Sequence, residues 1–296
     1  MGTGEAAALI AAALWAFSSL LYMKINVSAW GLNFSKIVIA TVLIFLQLLF
    51  VSQYYGVPLF RATADSWSWL ALSGLIGLVI GDTCYFRSLQ ILGAGRCLVI
   101  QTSAPVFTAI LSWVFLGETL VWHSCLGILL TVAGIAIVVA DKAATDEPGL
   151  FPGSLMAGVN FGIGAAVCQA IGAVLSRHAL KECQPLEATF VRLSMAAICA
   201  SAIVVWKGQL VTTVKQVARP EILKRFVPAI LCGTWIGLWF SQIAFSRTNA
   251  AAAQTLLSTS PLFVIPMVWI WFGTRATREV LIGSVIAVAG IFLIFQ

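Results

Sequence analysis

Apolar residues along the chain form ten long runs, separated by short stretches rich in charged residues, glycine and proline. A helix needs about 20 mostly apolar residues to cross roughly 30 Å of hydrocarbon, and its backbone must bond internally because lipid cannot. The pattern therefore predicts an all-α integral membrane protein with ten transmembrane helices. These predicted spans, numbered 1 to 10, cover residues 6–23, 36–52, 67–86, 97–116, 122–140, 154–175, 188–206, 227–246, 251–272 and 279–295.

The separators between the spans are short, and the clearest of them cover residues 56–66, 141–149, 178–187 and 207–225. We expect loops there, because proline, glycine and charged residues cluster in these stretches. They leave no room for an independent soluble domain. The chain starts MGTGEAAALI, without a basic stretch before its first apolar run, so we do not expect a cleaved signal peptide.

Composition supports a membrane protein and argues against several other classes. The chain is 60% hydrophobic and only 9% charged, whereas about a quarter of the residues of soluble proteins are charged. The net charge of +6 suits loops that face anionic lipid, and no basic patch on a soluble module indicates nucleic acid. The seven cysteines form no CxxC pair, so we expect neither a disulfide framework nor a metal site. No P-loop, HExxH motif or nucleophile elbow occurs, so we expect neither an enzyme nor a cofactor.

The second half of the chain repeats the first at an offset of 156 residues. Pairs matched at this offset are Lys36 and Arg192, Gly77 and Gly233, Gly81 and Gly237, Pro105 and Pro261, Gly127 and Gly283, and Gly134 and Gly290. Span 1 needs a shift of three residues, so that Ala12 matches Ala165. We therefore expect a first repeat over residues 1–140, a linker over 141–153 and a second repeat over 154–296.

Each repeat holds five predicted spans, an odd number, so the second repeat must enter the membrane facing the other way. Two inverted repeats, related by an axis in the membrane plane, can form a central cavity with two near-equivalent gates. Such a pair of gates is the physical basis of alternating access, in which a site opens first to one side and then to the other. The repeat favours a transporter over a sensor, because sensing needs no two equivalent gates.

Spans 4 and 9 each contain small polar residues that run into a proline, in VIQTSAPVF and TLLSTSPLF. A proline removes one backbone hydrogen bond, which here frees the carbonyls of Gln101 and Leu257, and in lipid those carbonyls need another partner. We interpret Pro105 and Pro261 as gating residues. The candidate solute ligands beside them are Gln101, Thr102, Ser103, Thr255, Ser258 and Thr259. The alternative is that these side chains only satisfy the kinks or link neighbouring helices.

Asp82 is the most informative single residue, because it lies deep in span 3, about 22 Å along a path of about 30 Å. An unpaired carboxylate is costly at that depth, so Asp82 should face water or a cation. One interpretation makes Asp82 a proton site or the partner of a substrate amine. The other makes it an interfacial residue paired with Lys36, Arg87 or Arg96. The matching position of the second repeat is Leu238, so the acid has no counterpart there.

Aromatic and polar residues on spans 1, 3, 6 and 8 form a second group of candidate solute ligands. The rings that a planar or apolar solute would contact are those of Trp15, Tyr85, Phe86, Trp235 and Trp239. The hydrogen-bonding side chains on the same group of spans are Ser18, Ser19, Gln169 and Gln242. Aromatic residues are also common at membrane interfaces and on lipid-facing surfaces, which is the alternative interpretation for each ring.

Glycine spacing predicts close contacts between helices. Gly127 and Gly134 on span 5, with Gly283 and Gly290 on span 10, let two backbones approach each other closely. We expect spans 5 and 10 to pack together, either within the chain or at a dimer interface. The sequence fits a monomer or a homodimer.

The runs SGLIGLVIGDTCYFRSL and APVFTAILSWVFLGETL, and the five-helix unit used twice, resemble the EamA domains of the drug/metabolite transporter superfamily. The resemblance covers nearly the whole chain. It implies ten helices around a central cavity lined mainly by spans 1, 3, 4, 6, 8 and 9. It also implies export or exchange of amino acids, nucleobases, other small metabolites or drugs. One departure lies in the second repeat, where Thr274 and Arg275 replace the pair seen at Gly117 and Glu118.

The expected function is a secondary transporter for a small-molecule solute in the cytoplasmic membrane. Proton exchange through Asp82, solute exchange and facilitated efflux all fit the sequence. A lipid-linked solute flippase or a membrane sensor is the alternative. Orientation is left open, because the loops opposite the termini hold more Lys and Arg, which predicts outside termini, whereas the family resemblance implies inside termini.

Overall fold

The computed structural model of the chain describes residues 2–22, 24–56, 58–118, 121–140, 153–272 and 277–294. Within these ranges the regular structure is entirely helical. The helices of the first half are α1 (Thr3–Tyr22), α2 (Ala29–Tyr55), α3 (Ala64–Ser73), the π-helix π1 (Gly74–Gly81), α4 (Asp82–Gln101), α5 (Ala104–Leu116) and α6 (Trp122–Ala140). The helices of the second half are α7 (Leu155–Ala179), α8 (Pro185–Trp206), α9 (Leu210–Val217), α10 (Pro220–Ala229), the π-helix π2 (Ile230–Gly237), α11 (Leu238–Arg247), α12 (Ala250–Leu257), α13 (Ser260–Phe272) and α14 (Arg278–Ile294). Most of the predicted linker, with Thr274 and Arg275, lies outside the described residues.

Several of these helices are long and apolar enough to cross a membrane. The six longest candidates are Thr3–Tyr22, Ala29–Tyr55, Ala64–Leu92, Leu155–Ala179, Pro185–Trp206 and Pro220–Arg247. Shorter apolar helices are Ala104–Leu116, Trp122–Gly134 and Leu281–Gly290. The chain is therefore a multi-pass membrane protein, as its hydropathy predicts.

The second helix begins earlier than the predicted start of span 2 at residue 36. It starts at Ala29, because Ser28 caps its first turn and accepts a hydrogen bond from the Gly31 backbone N–H at 3.2 Å. A serine cap satisfies one of the backbone donors left free at a helix start. Lys36 consequently lies two turns inside the helix and is buried.

Residues 207–225 were predicted to form a loop, and this prediction is wrong. The segment contains α9 and the start of α10. Pro220 occupies the start of α10, where its missing N–H costs nothing and its fixed φ suits a helix. In α9, Val211 and Val214 are exposed while Val217 is buried, so the helix has one apolar face outside the protein core. An amphipathic helix with such an exposed apolar face is suited to lie along a membrane surface.

The chain reverses direction within α4, between predicted spans 3 and 4. The Cys97 thiol lies 3.7 Å from the Tyr85 carbonyl oxygen. A Cβ atom placed on Gly162 would lie 3.0 Å from Ser88 Oγ and 2.9 Å from Ile100 Cγ2. Residues twelve apart in a straight helix are separated by about 18 Å, so these contacts require a hairpin. The hairpin brings the polar end of α4, at Gln101, back alongside α7.

The two π-helices occupy equivalent positions in the two halves, because π2 starts and ends 156 residues after π1. Each contains two matched glycines that admit a neighbouring helix. A Cβ on Gly81 would lie 3.0 Å from Cys168 Cβ, and a Cβ on Gly237 would lie 2.8 Å from Trp15 Nε1. Trp15 and Cys168 match each other at the offset of span 1. Each repeat therefore packs its first helix against the π-helix of the other repeat.

Helices α6 and α14 pack against each other about a local two-fold axis. A Cβ on Gly134 would lie 2.4 Å from the Ala287 backbone N, and a Cβ on Gly290 would lie 2.5 Å from the Thr131 backbone N. Gly134 matches Gly290, and Thr131 matches Ala287, so the two contacts are reciprocal. Ascending numbers in one helix meet descending numbers in the other, and the helices are antiparallel. Gly134 and Gly290, on spans 5 and 10, therefore make this helix contact within the chain.

Candidate functional site

A cavity of about 160 Å³ lies between the two halves of the chain. It is bounded by α1, π1, α4 and α7 and by π2, α11 and the break between α12 and α13. The predicted site residues that line it are Trp15, Ser18, Ser19, Asp82, Tyr85, Phe86, Gln101, Thr102, Gln169, Ser258 and Pro261. The structure thus brings together predicted site residues from five of the predicted spans, 1, 3, 4, 6 and 9.

Other lining residues were missed by the sequence analysis. They are Tyr22, Lys36, Leu78, Ala173, Arg192, Gly233, Thr234, Leu238, Ser241, Phe245, Gln254, Leu257 and Ser260. A signal for two of them was present, because Lys36 and Arg192 are cations matched at the repeat offset. The misplaced start of span 2 put Lys36 at the edge of the membrane and hid its depth.

Asp82 forms an ion pair inside the cavity. Its Oδ2 accepts a hydrogen bond from Lys36 Nζ at 2.5 Å, and its Oδ1 accepts one from Gln169 Nε2 at 3.2 Å. The Lys36 ammonium also lies 4.9 Å from the centre of the Phe86 ring, within the range of a cation–π contact. Lys36 and Asp82 are 7% and 8% exposed, so the pair is held in low dielectric. Asp82 therefore both lines the cavity and is paired with one of the three cations considered for it.

Arg192 is the second cation of the cavity and differs sharply from Lys36. It is only 5% exposed, and among the described residues its Nε has no hydrogen-bond partner. It belongs to neither of the two ion pairs found in that part of the chain. A Cβ on Gly77 would lie 3.4 Å from Arg192 Nη2, and a Cβ on Gly172 would lie 3.7 Å from it. The guanidinium therefore occupies the gap between π1 and α7.

Side chains from other helices bond to carbonyls of the two π-helices. In π1, the Leu78 carbonyl accepts from Asn33 Nδ2 at 2.8 Å. In π2, the Gly233 carbonyl accepts from Trp15 Nε1 at 2.9 Å. A π-helical turn disturbs the regular backbone ladder, and such turns occur frequently at functional sites. These hydrogen bonds hold Trp15 with its ring against the cavity.

The helix breaks in spans 4 and 9 are equivalent. The first separates Gln101 from Ala104, and the second separates Leu257 from Ser260, 156 residues later. Ser260 Oγ donates to the Leu257 carbonyl at 3.0 Å, which supplies the partner that Pro261 was expected to make necessary. Gln101 Nε2 donates to the Gly162 carbonyl at 3.3 Å and links the first break to α7.

The remaining predicted site residues lie outside the lining of this cavity. Ser103, Thr255 and Thr259 donate their hydroxyls to backbone carbonyls one turn earlier, and Pro105 is in the first turn of α5. Trp235 donates to Gln47 Oε1 at 2.8 Å, and the Trp239 ring contacts Phe240. Gln242 is fully buried, and among the described residues its amide has no hydrogen-bond partner. Their contact with a solute stays a prediction.

A second ion pair lies at the end of the molecule that holds the N-terminus. Arg177 Nε lies 3.0 Å from Glu118 Oε1, and Glu118 Oε2 accepts from the Ala250 backbone N–H at 3.0 Å. Arg177 Nη1 donates to the carbonyls of Phe245 and Ser246 at 3.0 and 3.2 Å. One carboxylate of the first half therefore contacts the ends of α7 and α12 in the second half.

No three His, Cys, Asp or Glu side chains of the described ranges are grouped closely enough to hold a metal ion. The residues that line the cavity supply aromatic rings, hydroxyls, amides and the three charged groups Lys36, Asp82 and Arg192. This arrangement can bind a small polar solute by hydrogen bonds and charge, and can stack its apolar part on the rings.

Known proteins resemble this chain in sequence or in fold. An uncharacterized transporter of Archaeoglobus fulgidus is 27% identical over 289 residues, which are 97% of this chain and 95% of that protein. A probable terminal-alkyne amino-acid exporter of Streptantibioticus cattleyicolor is 25% identical over 276 residues, which are 89% of this chain and 83% of that protein. A solved crystal structure with 16% identity covers 98% of this chain and 95% of its own chain with a TM-score of 0.74, a likeness in fold alone.

The sequence model of the EamA-like transporter family matches residues 2–140 and 156–296. The two matches together cover nearly the whole chain and confirm the family resemblance seen in its motifs. The protein is thus a transporter with several membrane-spanning helices, and the chain belongs to the EamA-like transporter family.

Proposed function

We propose that the protein is a secondary transporter that moves a small metabolite across the cytoplasmic membrane by alternating access. The carrying observation is the polar cavity between the two halves, which is bounded by equivalent π-helices and equivalent helix breaks. The proposed topology is ten transmembrane helices in two inverted five-helix repeats. The antiparallel contact of α6 with α14 supports the inversion, because an axis perpendicular to both helices relates them.

Alternating access needs two gates and elements that can bend between them. The breaks after Gln101 and after Leu257 interrupt the backbone ladder in equivalent helices, so each is a natural hinge beside the cavity. The Glu118–Arg177 ion pair bridges the two halves at one end, and we assign it to the closed gate on the side of the N-terminus. Movement of one half against the other would separate this pair.

The proposed solute is small, and amino acids are the leading class. A cavity of about 160 Å³ is smaller than the roughly 300–1,000 Å³ of pockets that hold drug-sized ligands. One relative is named as a probable terminal-alkyne amino-acid exporter, which favours export or exchange of amino acids by this chain as well. Asp82 is the candidate proton site if transport is driven by a pH gradient.

The test is release of solutes from proteoliposomes preloaded with a bacterial metabolite extract and analysed by mass spectrometry. We expect a restricted set of solutes to leave these vesicles and to stay inside protein-free vesicles. Release that starts only under a pH gradient, and that is lost in Asp82→Asn protein shown to be folded, would assign proton coupling to this carboxylate. If demonstrably folded protein releases nothing under any gradient, the transporter proposal fails, and lipid-linked solutes and sensing become the functions to test.

Accessibility supplies a second test of the mechanism. Gln101→Cys, in a variant whose native cysteines are replaced, should react with a membrane-impermeant maleimide added from either side of the membrane. A sensor with one solvent-facing pocket would react from one side alone. Tyr54→Cys, at an exposed position close to one end of α2, is the control that should react from one side in either case.

A further inference from the structure

We propose that Arg192 binds a carboxylate group of the transported solute. This inference rests on the transporter function proposed above and names the chemical class of the solute. Arg192 extends from α8 into the cavity and is 5% exposed. A buried guanidinium without an anionic partner is unfavourable, because burial removes the water that would otherwise solvate the charge. A solute that carries its own anionic group would supply the missing partner.

The carboxylate of Asp82 attracts Arg192 but forms its ion pair with Lys36. Asp82 bonds to Lys36 through Oδ2 and to Gln169 through Oδ1, so both of its oxygens already have a partner. Among the described residues, Arg192 takes part in no ion pair, and its Nε has no acceptor. The described lining residues thus contain two cations and one carboxylate, and one positive charge has no counterion.

The duplication shows which position of the second repeat lacks an acid. Lys36 matches Arg192 at the offset of 156 residues, and Asp82 matches Leu238 at the same offset. The first repeat therefore has a cation with its acid, and the second has a cation with a leucine in the acid's position. A solute carboxylate at Arg192 would complete in the second repeat the pairing that the first repeat makes within the protein.

The guanidinium of Arg192 has room at its position, and its geometry suits a carboxylate. Gly77 and Gly172 carry no side chains, and a Cβ on either would lie within 3.7 Å of Arg192 Nη2. The guanidinium offers parallel N–H donors that match the two oxygens of a carboxylate, a fit that lysine cannot reproduce. One unpaired positive charge matches a monoanion, whereas a phosphate dianion would leave an excess negative charge in low dielectric.

An α-amino acid and an organic acid without an amine share this group, and binding experiments separate them. Purified wild-type protein in detergent is titrated with leucine, phenylalanine and serine, with their carboxamides, and with the matching 2-oxo acids. Binding is measured as the rise in unfolding temperature, since a ligand that binds only the folded state stabilises it. We expect at least one free acid to bind about tenfold or more tightly than its carboxamide, because a charge-assisted bond is lost.

Variants at Arg192 and at Leu238 test whether acid binding depends on the Arg192 guanidinium. Arg192→Gln should remove the preference for acid over carboxamide, and Arg192→Lys should weaken acid binding about tenfold. Leu238→Asp should also weaken it, because this change brings the missing acid into the cavity. Arg225→Gln changes an exposed arginine outside the cavity and should leave binding as it is in the wild type.

The unfolding temperature of Arg192→Gln distinguishes solute binding from a purely structural role, because loss of a structural contact would lower this temperature. Without solute, Arg192→Gln should unfold at the same temperature as wild type or at a higher one, because an unpaired buried charge is removed. Loss of the folded state in both Arg192→Gln and Arg192→Lys would overturn the inference. Equal binding of acids and carboxamides by wild-type protein would overturn it as well.

Failure of this inference is distinguishable from failure of the transporter function. If wild-type vesicles release solutes and Arg192→Gln slows acids and carboxamides equally, the transporter function stands and the role of Arg192 is refuted. If wild-type vesicles release no solute at all, the transporter function itself is refuted.

Discussion

Arg177 Nε lies 3.0 Å from Glu118 Oε1, and this ion pair joins the two halves of the chain beside the N-terminus. The same carboxylate accepts the Ala250 backbone N–H, close to the start of α12, where negative charge is favoured by the helix dipole. Side chains of both partners are about one-fifth exposed, at 22% and 17%. The contact therefore links the two halves at this end of the molecule while remaining near enough to water to break, as the gate proposed above requires.

Glu118→Gln should weaken this closed state. The amide keeps an oxygen for the Ala250 N–H but loses the charge that attracts Arg177, and we expect a loss of about 1–3 kcal/mol in the free energy of unfolding. We also expect faster maleimide labelling of Ser258→Cys from the side of the N-terminus. The control is Glu182→Gln, which changes an exposed acid at the same end of the molecule. Unchanged labelling in Glu118→Gln would show that this ion pair is not part of the gate.

Asp82→Asn should destabilise the protein strongly, because it leaves the Lys36 ammonium buried without its carboxylate. Breaking a buried ion pair on one side costs about 3–5 kcal/mol, whereas replacing both partners with apolar groups is often close to neutral. The double variant Lys36→Met with Asp82→Leu should therefore unfold nearer to wild type than Asp82→Asn does. The measurement is denaturant unfolding in detergent. Equal losses in the single and double variants would mean that the pair is not coupled.

Gly134→Ala should push α6 and α14 apart. Its new Cβ would lie 2.4 Å from the Ala287 backbone N, and a backbone atom cannot move aside without shifting the helix. We expect a loss of about 1–3 kcal/mol, typical of overpacking. Gly164→Ala is the matched control, since its Cβ would meet nothing within 4 Å and alanine favours the helix by about 1 kcal/mol. Equal stability of the two variants would refute the close packing at Gly134.

Cys183, in the turn between α7 and α8, should make stability fall at high pH. Burial, followed by the negative charge of Glu187, raises the pKa of its thiol from 9.0 to about 12. Below pH 9 the thiol is protonated in both states, and between pH 9 and 12 only the unfolded state releases the proton. Unfolding is then favoured as pH rises, by at most about 1.4 kcal/mol per pH unit.

The measurement for Cys183 is the free energy of unfolding at pH 8, 9 and 10. Cys183→Ala should reduce the fall between pH 9 and 10, and Cys125→Ala, which changes an exposed cysteine, should leave it as it is. An identical pH dependence in wild type and Cys183→Ala would show that the thiol ionises equally easily in both states.

The sequence was sufficient for the class of the protein and for much of its site. Apolar runs predict membrane helices because lipid offers the backbone no partners, and the helices lie close to the predicted spans. Ser28 shows where the prediction of boundaries failed, since a local cap extended α2 beyond the apolar run. The polar-proline motifs predicted the breaks after Gln101 and Leu257, because proline removes a backbone donor wherever it occurs.

The tertiary structure decided which of the polar residues meet. Gln101 and Ser258 line the cavity while Thr255 and Thr259 bond to their own helix, although all four belong to the same two motifs. Each helix turns only one face toward the cavity, and the packing of that helix against its neighbours decides which residues lie on this face. Hydrogen bonds of Asn33 to the Leu78 carbonyl and to Thr83 hold α2 beside π1 and α4 at the depth where Lys36 meets Asp82. The repeat offset can be read from the sequence alone. That Arg192 forms no ion pair among the described residues follows only from contacts between residues far apart in the chain.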